Sequence, residues 1–241
     1  MFMSSEFQAR VAVVLPSFNR PVLVEKTIKS VQAQTLKEWR LYIMDNSSDK
    51  LWPRMRNIYE KYAKTDPRII IDHTNVPNEQ RYKKWWCAIV TNKALFQLSK
   101  GEPYVVFTAD DCVMMPNKLE VLSNFLDTHP EAQMVSGGLH TLHDDGSIGK
   151  FGIDVVKLSG LNTIDWVQPM FRRELINKIG KLDEPMGDPS LDGLFFTRIA
   201  KHAKVYGFTP WTCLDVTSNR THGTRHKEKW IARAKNGELM E

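Results

Sequence analysis

Two adjacent carboxylates, Asp110 and Asp111, stand just beyond the apolar run Tyr104-Val-Val-Phe107. Aromatic and β-branched residues of that kind build a buried strand, so the pair arrives where a strand ends, the edge at which open α/β sheets bind ligands. Neighbouring carboxylates repel each other, and a fold that holds them together is expected to supply a cation. A hard divalent ion, Mg²⁺ or Mn²⁺, takes oxygen ligands and shares its remaining positions with substrate phosphates. The pair therefore reads as a metal and diphosphate site. The competing reading is a strand-to-turn junction with an aspartate capping a helix over 116–125.

Other polar clusters follow apolar runs in the same way. Pro16-Ser17-Phe18-Asn19-Arg20-Pro21 follows the run at 10–15, Asp45-Asn46-Ser47-Ser48-Asp49 follows 39–44, and Asp72-His73-Thr74-Asn75 follows 68–71. Short continuous apolar runs are the mark of buried parallel strands. Between them, Val24, Ile28 and Val31 recur at helical spacing within 22–34, and 51–64 and 85–99 also read as helices. Strand and helix alternate, which predicts a mostly parallel sheet flanked by helices. The strand ends at 16–19, 45–49 and 110–111 should then share one edge, the geometry of a nucleotide site.

The second half is less regular. Segments 132–142 and 147–153 suggest an antiparallel pair across His143-Asp144-Asp145-Gly146, where Asp-Gly favours a tight turn. A short strand is expected at 166–171, a helix from Arg172 to near Gly180, and an acid-rich loop at 182–189 leading to Asp192 and a helix over 194–202. The predicted organisation is one domain over 1–241: a nucleotide half at 10–116, an acceptor half at 117–222, and a basic tail at 223–241.

The chain has 241 residues, 42% of them hydrophobic, enough for a substantial core. No apolar run reaches the length of a membrane span and residues 1–10 lack the apolar core of a signal peptide, so a cytoplasmic location is expected. Three widely separated cysteines, Cys87, Cys112 and Cys213, show no zinc spacing and are expected as free thiols. A net charge of +5 and a pI near 9.0 favour anionic partners without choosing among nucleotides, nucleic acids and acidic glycans. Much of the excess lies between Arg220 and Lys235, and such a tail is more often a solvated surface than a binding strip.

At this point the motifs match a known family. Val11-Ala-Val-Val-Leu-Pro-Ser-Phe-Asn-Arg20, Leu41-Tyr-Ile-Met-Asp-Asn-Ser-Ser-Asp49, Thr108-Ala-Asp-Asp-Cys-Val-Met-Met-Pro-Asn-Lys-Leu119 and Met170-Phe-Arg-Arg-Glu-Leu-Ile-Asn-Lys-Ile-Gly180 resemble a family 2 inverting glycosyltransferase of the GT-A fold. The resemblance runs over roughly 10–222. In build the chain is similar to stand-alone members such as those of bacterial spore coat polysaccharide synthesis. The resemblance implies an α/β nucleotide-diphospho-sugar transferase fold with a small antiparallel acceptor-side portion. It also implies a nucleotide-diphosphate donor, a UDP-sugar first and a dTDP-sugar second, with Mn²⁺ or Mg²⁺ as cofactor.

Its roles carry over by position. Asp45 matches the carboxylate that bonds the uracil edge and Phe18 an aromatic against the base, with Pro16 and Asn19 in the same nucleotide loop. Asp111 is the first choice as direct metal ligand, and Asp110 as the ribose or sugar contact. Asp192 matches the catalytic base, with Asp188 as the fallback, and His222 matches a histidine that reaches the metal or diphosphate. A basic contact to the nucleotide falls on Arg81 or Lys84. The chain departs from the common Asp-x-Asp-Asp motif, reading Ala109-Asp110-Asp111-Cys112, and has Leu191 where an acid usually precedes the base.

Inverting transfer needs a base for the acceptor hydroxyl and neutralisation of the leaving diphosphate. Against the family roles stand plainer ones. Asp192 can be a helix N-cap, Asp45 can stabilise a turn through Ser47 or Ser48, Phe18, Trp85 and Trp86 can be packing, and Cys112 a small apolar filler. Trp166 and Trp211 are the better candidates for stacking on a sugar. The acceptor is expected to be a glycan or another hydroxyl compound. Two alternatives differ: a glycosyltransferase acting on hydroxymethylated bases in DNA, and a nucleotide-sugar binding protein without turnover. A nucleotidyltransferase is disfavoured because no glycine-rich phosphate loop with lysine follows the first strand.

Overall fold

The computed structural model describes residues 7–77, 84–99, 101–142, 148–149, 164–182, 191–203 and 205–215. Its centre is β1 (Val11–Ser17), whose residues are all buried. It lies between β2 (Trp39–Asp45) and β4 (Tyr104–Phe107), parallel to both, with β3 (Ile69–His73) parallel to β2 on the outside. A strand covered on both faces can be apolar at every position, and helices cover both.

Val11, Val13 and Leu15 point to one face, where α1 (Pro21–Gln32) buries Val24, Ile28 and Val31 and α2 (Trp52–Ala63) buries Met55 and Tyr59. Ala12 and Val14 point to the other, against α3 (Trp86–Lys93) and the π-helical turn Ala94–Leu98 that continues it. Each fully buried aliphatic on these helices contributes about 2 kcal/mol. Pro21 starts α1 at a position where its missing N–H costs nothing.

The second half adds β5 (Cys112–Met114), α4 (Lys118–Thr128), β6 (Met134–Leu142), β7 (Ile148–Gly149), β8 (Pro169–Arg172), α5 (Arg173–Ile179), α6 (Leu191–Ala200) and β9 (Val205–Asp215). Among the described residues the sheet order is β3-β2-β1-β4-β8-β6-β9-β5, with β7 on β6. The β4–β8, β8–β6 and β9–β5 pairs are antiparallel, whereas β6 and β9 are parallel with register shifts around Gly138. The parallel first half and the partly antiparallel second half of the sheet are those expected.

Several boundaries move. The expected hairpin pairs Leu142 with Ile148, while its turn at 143–147 lies outside the described residues. The strand foreseen at 166–171 starts only at Pro169, and Trp166 and Val167 belong to a turn. The helix expected at 116–125 runs from Lys118 to Thr128, and the one expected from 194 begins at Leu191, enclosing Asp192 in its first turn. Gly180 ends α5 with φ +78°, a conformation that suits glycine. Strands β5 and β9 were not foreseen.

Candidate active site

The ends of β1, β2 and β4 meet at one edge, as the alternation predicts. Ser17 is in register with Asp45, and the Asn46 N–H donates to the Ser17 carbonyl at 2.9 Å. On the other side of β1, the Thr108 N–H donates to the Val14 carbonyl at 3.0 Å, which carries Asp110 and Asp111 past the end of β1.

Asp110 is almost fully buried. Its Oδ2 accepts from the Phe18 N–H at 2.9 Å and from Ser17 Oγ at 3.2 Å, and its Oδ1 from Arg20 Nη1 at 2.9 Å. Burial pushes its carboxyl up, Arg20 opposes this, and the charge of Asp111 adds to it. Asp111 is more open, its side chain 20% exposed, and its Oδ2 accepts from the same Arg20 Nη1 at 2.6 Å. Its other oxygen accepts no hydrogen bond from the described residues. Arg20 keeps its proton: burial acts against its charge, but the two carboxylates outweigh that and raise its pKa.

The loop holding the acids is braced by α1. The Thr27 hydroxyl lies 3.2 Å from the Ala109 carbonyl and 2.9 Å from that of Cys112. Ser30 Oγ accepts from the Met114 N–H at 3.0 Å, and the Gln34 amide donates to the Met115 carbonyl at 2.8 Å and accepts from the Leu119 N–H at 3.0 Å. Asp110 and Asp111 therefore sit in the β4–β5 loop and do not cap α4.

Asp45 has no exposed surface. Its Oδ1 accepts from the Ser47 N–H at 2.8 Å and lies 3.0 Å from His73 Nδ1, and its Oδ2 accepts from Ser47 Oγ at 2.9 Å and Tyr59 OH at 2.7 Å. Expected at the uracil edge, it is occupied by the protein on both oxygens. His73 stacks on Trp52 with ring centroids 3.9 Å apart. Asn19, at φ +55°, donates its N–H to Ser47 Oγ at 2.9 Å and accepts the Ser48 N–H at 3.0 Å, tying the β1 and β2 ends together. Asparagine tolerates that left-handed backbone better than most residues.

Phe18, expected against the base, is instead 3% exposed with its ring tilted onto Trp86 at 5.5 Å; its main-chain N–H serves the site through Asp110. Pro16 is buried in β1 opposite Met44. Lys84 lies half-buried just before α3. Trp166 stacks on Phe107 at 4.2 Å, giving one face to the core. Asp192 is half-buried in the first turn of α6, where its Oδ1 accepts from the Gly193 N–H at 3.0 Å. It is close enough to α3 for its charge to act on the Cys87 thiol. Arg81, Asp188, Trp211 and His222 lie outside the residues whose side chains are described.

Arg20, Ser17, Tyr59 and Thr27 were missed by sequence reasoning. Arg20 had a signal: it follows the first strand inside the quoted motif and is the nearest fixed cation in that loop to satisfy two repelling acids.

The family model "Glycosyl transferase family 2" matches residues 12–180. Protein CgeD of Bacillus subtilis (strain 168) is 28% identical over 226 residues, which is 89% of this chain and 50% of that protein. The GalNAc(5)-diNAcBac-PP-undecaprenol beta-1,3-glucosyltransferase of Campylobacter jejuni is 32% identical over 118 residues, covering 47% of this chain and 33% of that one. The chain thus spans half or less of these curated relatives. Among solved structures, S. aureus TarS 1-349 in complex with UDP-GlcNAc superposes with a TM-score of 0.66 at 14% identity, covering 91% of this chain and 60% of that one. Mannosyltransferase PcManGT from Pyrobaculum calidifontis, in complex with GDP-Man and Mn²⁺, gives 0.66 at 18% identity over 95% of this chain and 63% of that one. With the matched segment running from β1 to the end of α5, and with these neighbours sharing the GT-A fold, the chain belongs to glycosyl transferase family 2.

Proposed function

We propose that this chain catalyses inverting transfer of a sugar from a nucleoside-diphosphate donor to an acceptor hydroxyl, in polysaccharide or glycoconjugate synthesis. The observation that carries the reading is the carboxylate pair at the β4 end, packed against the β1 end, with Asp110 bound on both oxygens and Asp111 keeping one oxygen open among the described residues. That oxygen fits Mn²⁺ or Mg²⁺, which prefer hard oxygen ligands and leave positions for phosphate. A divalent ion held by Asp111 supplies the positive charge that offsets the departing diphosphate. His222 is the further candidate ligand.

The chain's own residues do the rest. Asp110, fixed on Oδ2 by Ser17 and Phe18, is the candidate contact to the ribose or sugar through Oδ1, the oxygen it shares with Arg20. Asp45 acts through what it orients: the Asn46–Ser48 segment and His73 are the groups left to meet the base, with Asn19 holding that segment in place. Lys84 and Arg81 are the basic contacts to the nucleotide. Asp192 accepts the acceptor hydroxyl's proton as that oxygen attacks the anomeric carbon; Gly193 N–H bonds one of its oxygens, and among the described residues none donates to the other.

UDP-GlcNAc in the TarS complex favours a UDP donor over the dTDP alternative. No helix among the described residues is long and apolar enough to cross a membrane, and a cytoplasmic site of action is part of the proposal. The DNA-acceptor alternative leans on the tail at 223–241, outside the described residues, and gains nothing from the site. The test is a donor screen with Asp192→Asn as control. Wild type should release UDP from one UDP-sugar when an acceptor is added, and the variant should bind that donor as well while turnover falls by about 100-fold or more. UDP binding without transfer or hydrolysis across a broad acceptor panel would instead favour the non-catalytic binder.

A further inference from the structure

A cation already stands between the two acids. One nitrogen, Arg20 Nη1, donates to Asp110 at 2.9 Å and to Asp111 at 2.6 Å, with the arginine side chain 21% exposed. A guanidinium does not give up its proton in a protein, so the charge is permanent. The two acids differ in what else holds them. Asp110 also has the Phe18 N–H and Ser17 Oγ, whereas among the described residues Asp111 is held through Arg20 alone.

We propose that Arg20 is a resident counter-ion that closes the Asp110–Asp111 pair to free divalent cations, so that metal binding waits for the nucleotide diphosphate. The inference rests on Asp111 as the metal ligand of the proposed function. A divalent ion approaching the open oxygen of Asp111 without nucleotide meets a fixed positive charge a few ångströms away, on the guanidinium that holds the other oxygen by a charge-assisted hydrogen bond. A diphosphate changes both terms: its negative charge offsets the repulsion, and its oxygens give the guanidinium an alternative partner of the kind arginine binds well. When Arg20 turns to the phosphates, Asp110 stays in place on Ser17 and Phe18 and Asp111 is released to the metal. Arg20 therefore acts as a positioning residue that orders the binding events.

The test is Mn²⁺ binding, read by the EPR signal of free Mn²⁺ and by titration calorimetry, with and without UDP, on wild type, Arg20→Gln, Arg20→Met and Arg20→Lys. Circular dichroism melts establish which variants are folded, and Gln and Met offer two routes to the uncharged state. The expected result is weak Mn²⁺ binding to wild type alone and about tenfold or greater tightening by UDP. Arg20→Gln or Arg20→Met should bind Mn²⁺ alone about tenfold more tightly than wild type, with a smaller UDP effect, and Arg20→Lys should stay near wild type. Unchanged or weaker Mn²⁺ binding in a folded neutral variant overturns the role of Arg20 while leaving the metal site intact. Absence of Mn²⁺ binding in every protein even with UDP overturns the metal reading itself, and this inference with it.

Discussion

The hydroxyl of Tyr59 donates to Asp45 Oδ2 at 2.7 Å from a fully buried ring. The same hydroxyl lies 2.9 Å from Ser17 Oγ, which in turn bonds Asp110, so the acids at the ends of β2 and β4 are joined through two hydroxyls beneath the end of β1. Burial, then the charge of Asp45, raises the phenol pKa well above its ordinary value and keeps the proton on Tyr59.

Tyr59→Phe keeps the ring and removes that link. Leaving buried oxygens short of a donor costs about 1–3 kcal/mol, which urea unfolding would register. UDP affinity should fall in the same variant. Full retention of both stability and affinity would show that the link is incidental.

Glu102 tests the opposite end of the sheet, away from the site. Its buried carboxylate accepts from Tyr42 OH at 2.7 Å, Arg40 at 3.0 Å and Ser99 Oγ at 2.7 Å, with Arg173 3.5 Å away. Burial would raise its pKa, but these hydrogen bonds outweigh it and hold the pKa below 4.5. A depressed carboxylate stabilises the fold above its unfolded pKa and loses that contribution as pH falls through the lower folded value. Glu102→Ala, which strips Arg40 and Tyr42 of this partner, should cost about 3 kcal/mol near neutral pH, and the gap from wild type should narrow in acid below pH 4.5. A gap independent of pH would mean the side chain acts by packing alone.

How far could these relationships be read beforehand? The parallel half was legible because β1, β2 and β4 are covered on both faces and so are apolar at nearly every position, a pattern that needs no partner to be recognised. β5 was hidden because its 3 residues read as a continuation of the Tyr104 stretch. Only pairing with β9 makes them a strand, and β9 carries Gly207 and Pro210, which break a strand signal. The acids were visible by type, whereas Arg20, though it stands in the first-strand motif, meets Asp110 across 90 residues of sequence, and only the fold pairs them. Asp45 was visible as a strand-end acid, yet its use depends on His73 and Tyr59, which only the fold brings to it.

Asn19 adopts φ +55°. Asn19→Ala combines a left-handed backbone penalty of roughly 1 kcal/mol with loss of the side chain's hydrogen bonds to Ser48, whereas Asn19→Gly loses the side chain but escapes the backbone penalty. Thermal unfolding should therefore rank wild type above Gly and Gly above Ala. An alanine variant as stable as the glycine one would count against strain at this position.

Burial pushes the Cys87 thiol up to about 12, and the charge of Asp192 adds to the rise. Thiolate is the reactive form, so peptide mapping after iodoacetamide at pH 8 should find the half-buried Cys87 labelled much more slowly in the native protein than in urea. Equal labelling in the two states would contradict the burial that raises this thiol.

The most direct measurement is titration of UDP into wild type and Asp111→Asn, with Mn²⁺ present and with metal chelated. The account predicts binding that weakens strongly on chelation in wild type, and an Asp111→Asn variant that remains folded but gains nothing from Mn²⁺. UDP binding that is indifferent to metal, or equal in the two proteins with Mn²⁺ present, would contradict the assignment of Asp111 as the residue joining metal to diphosphate.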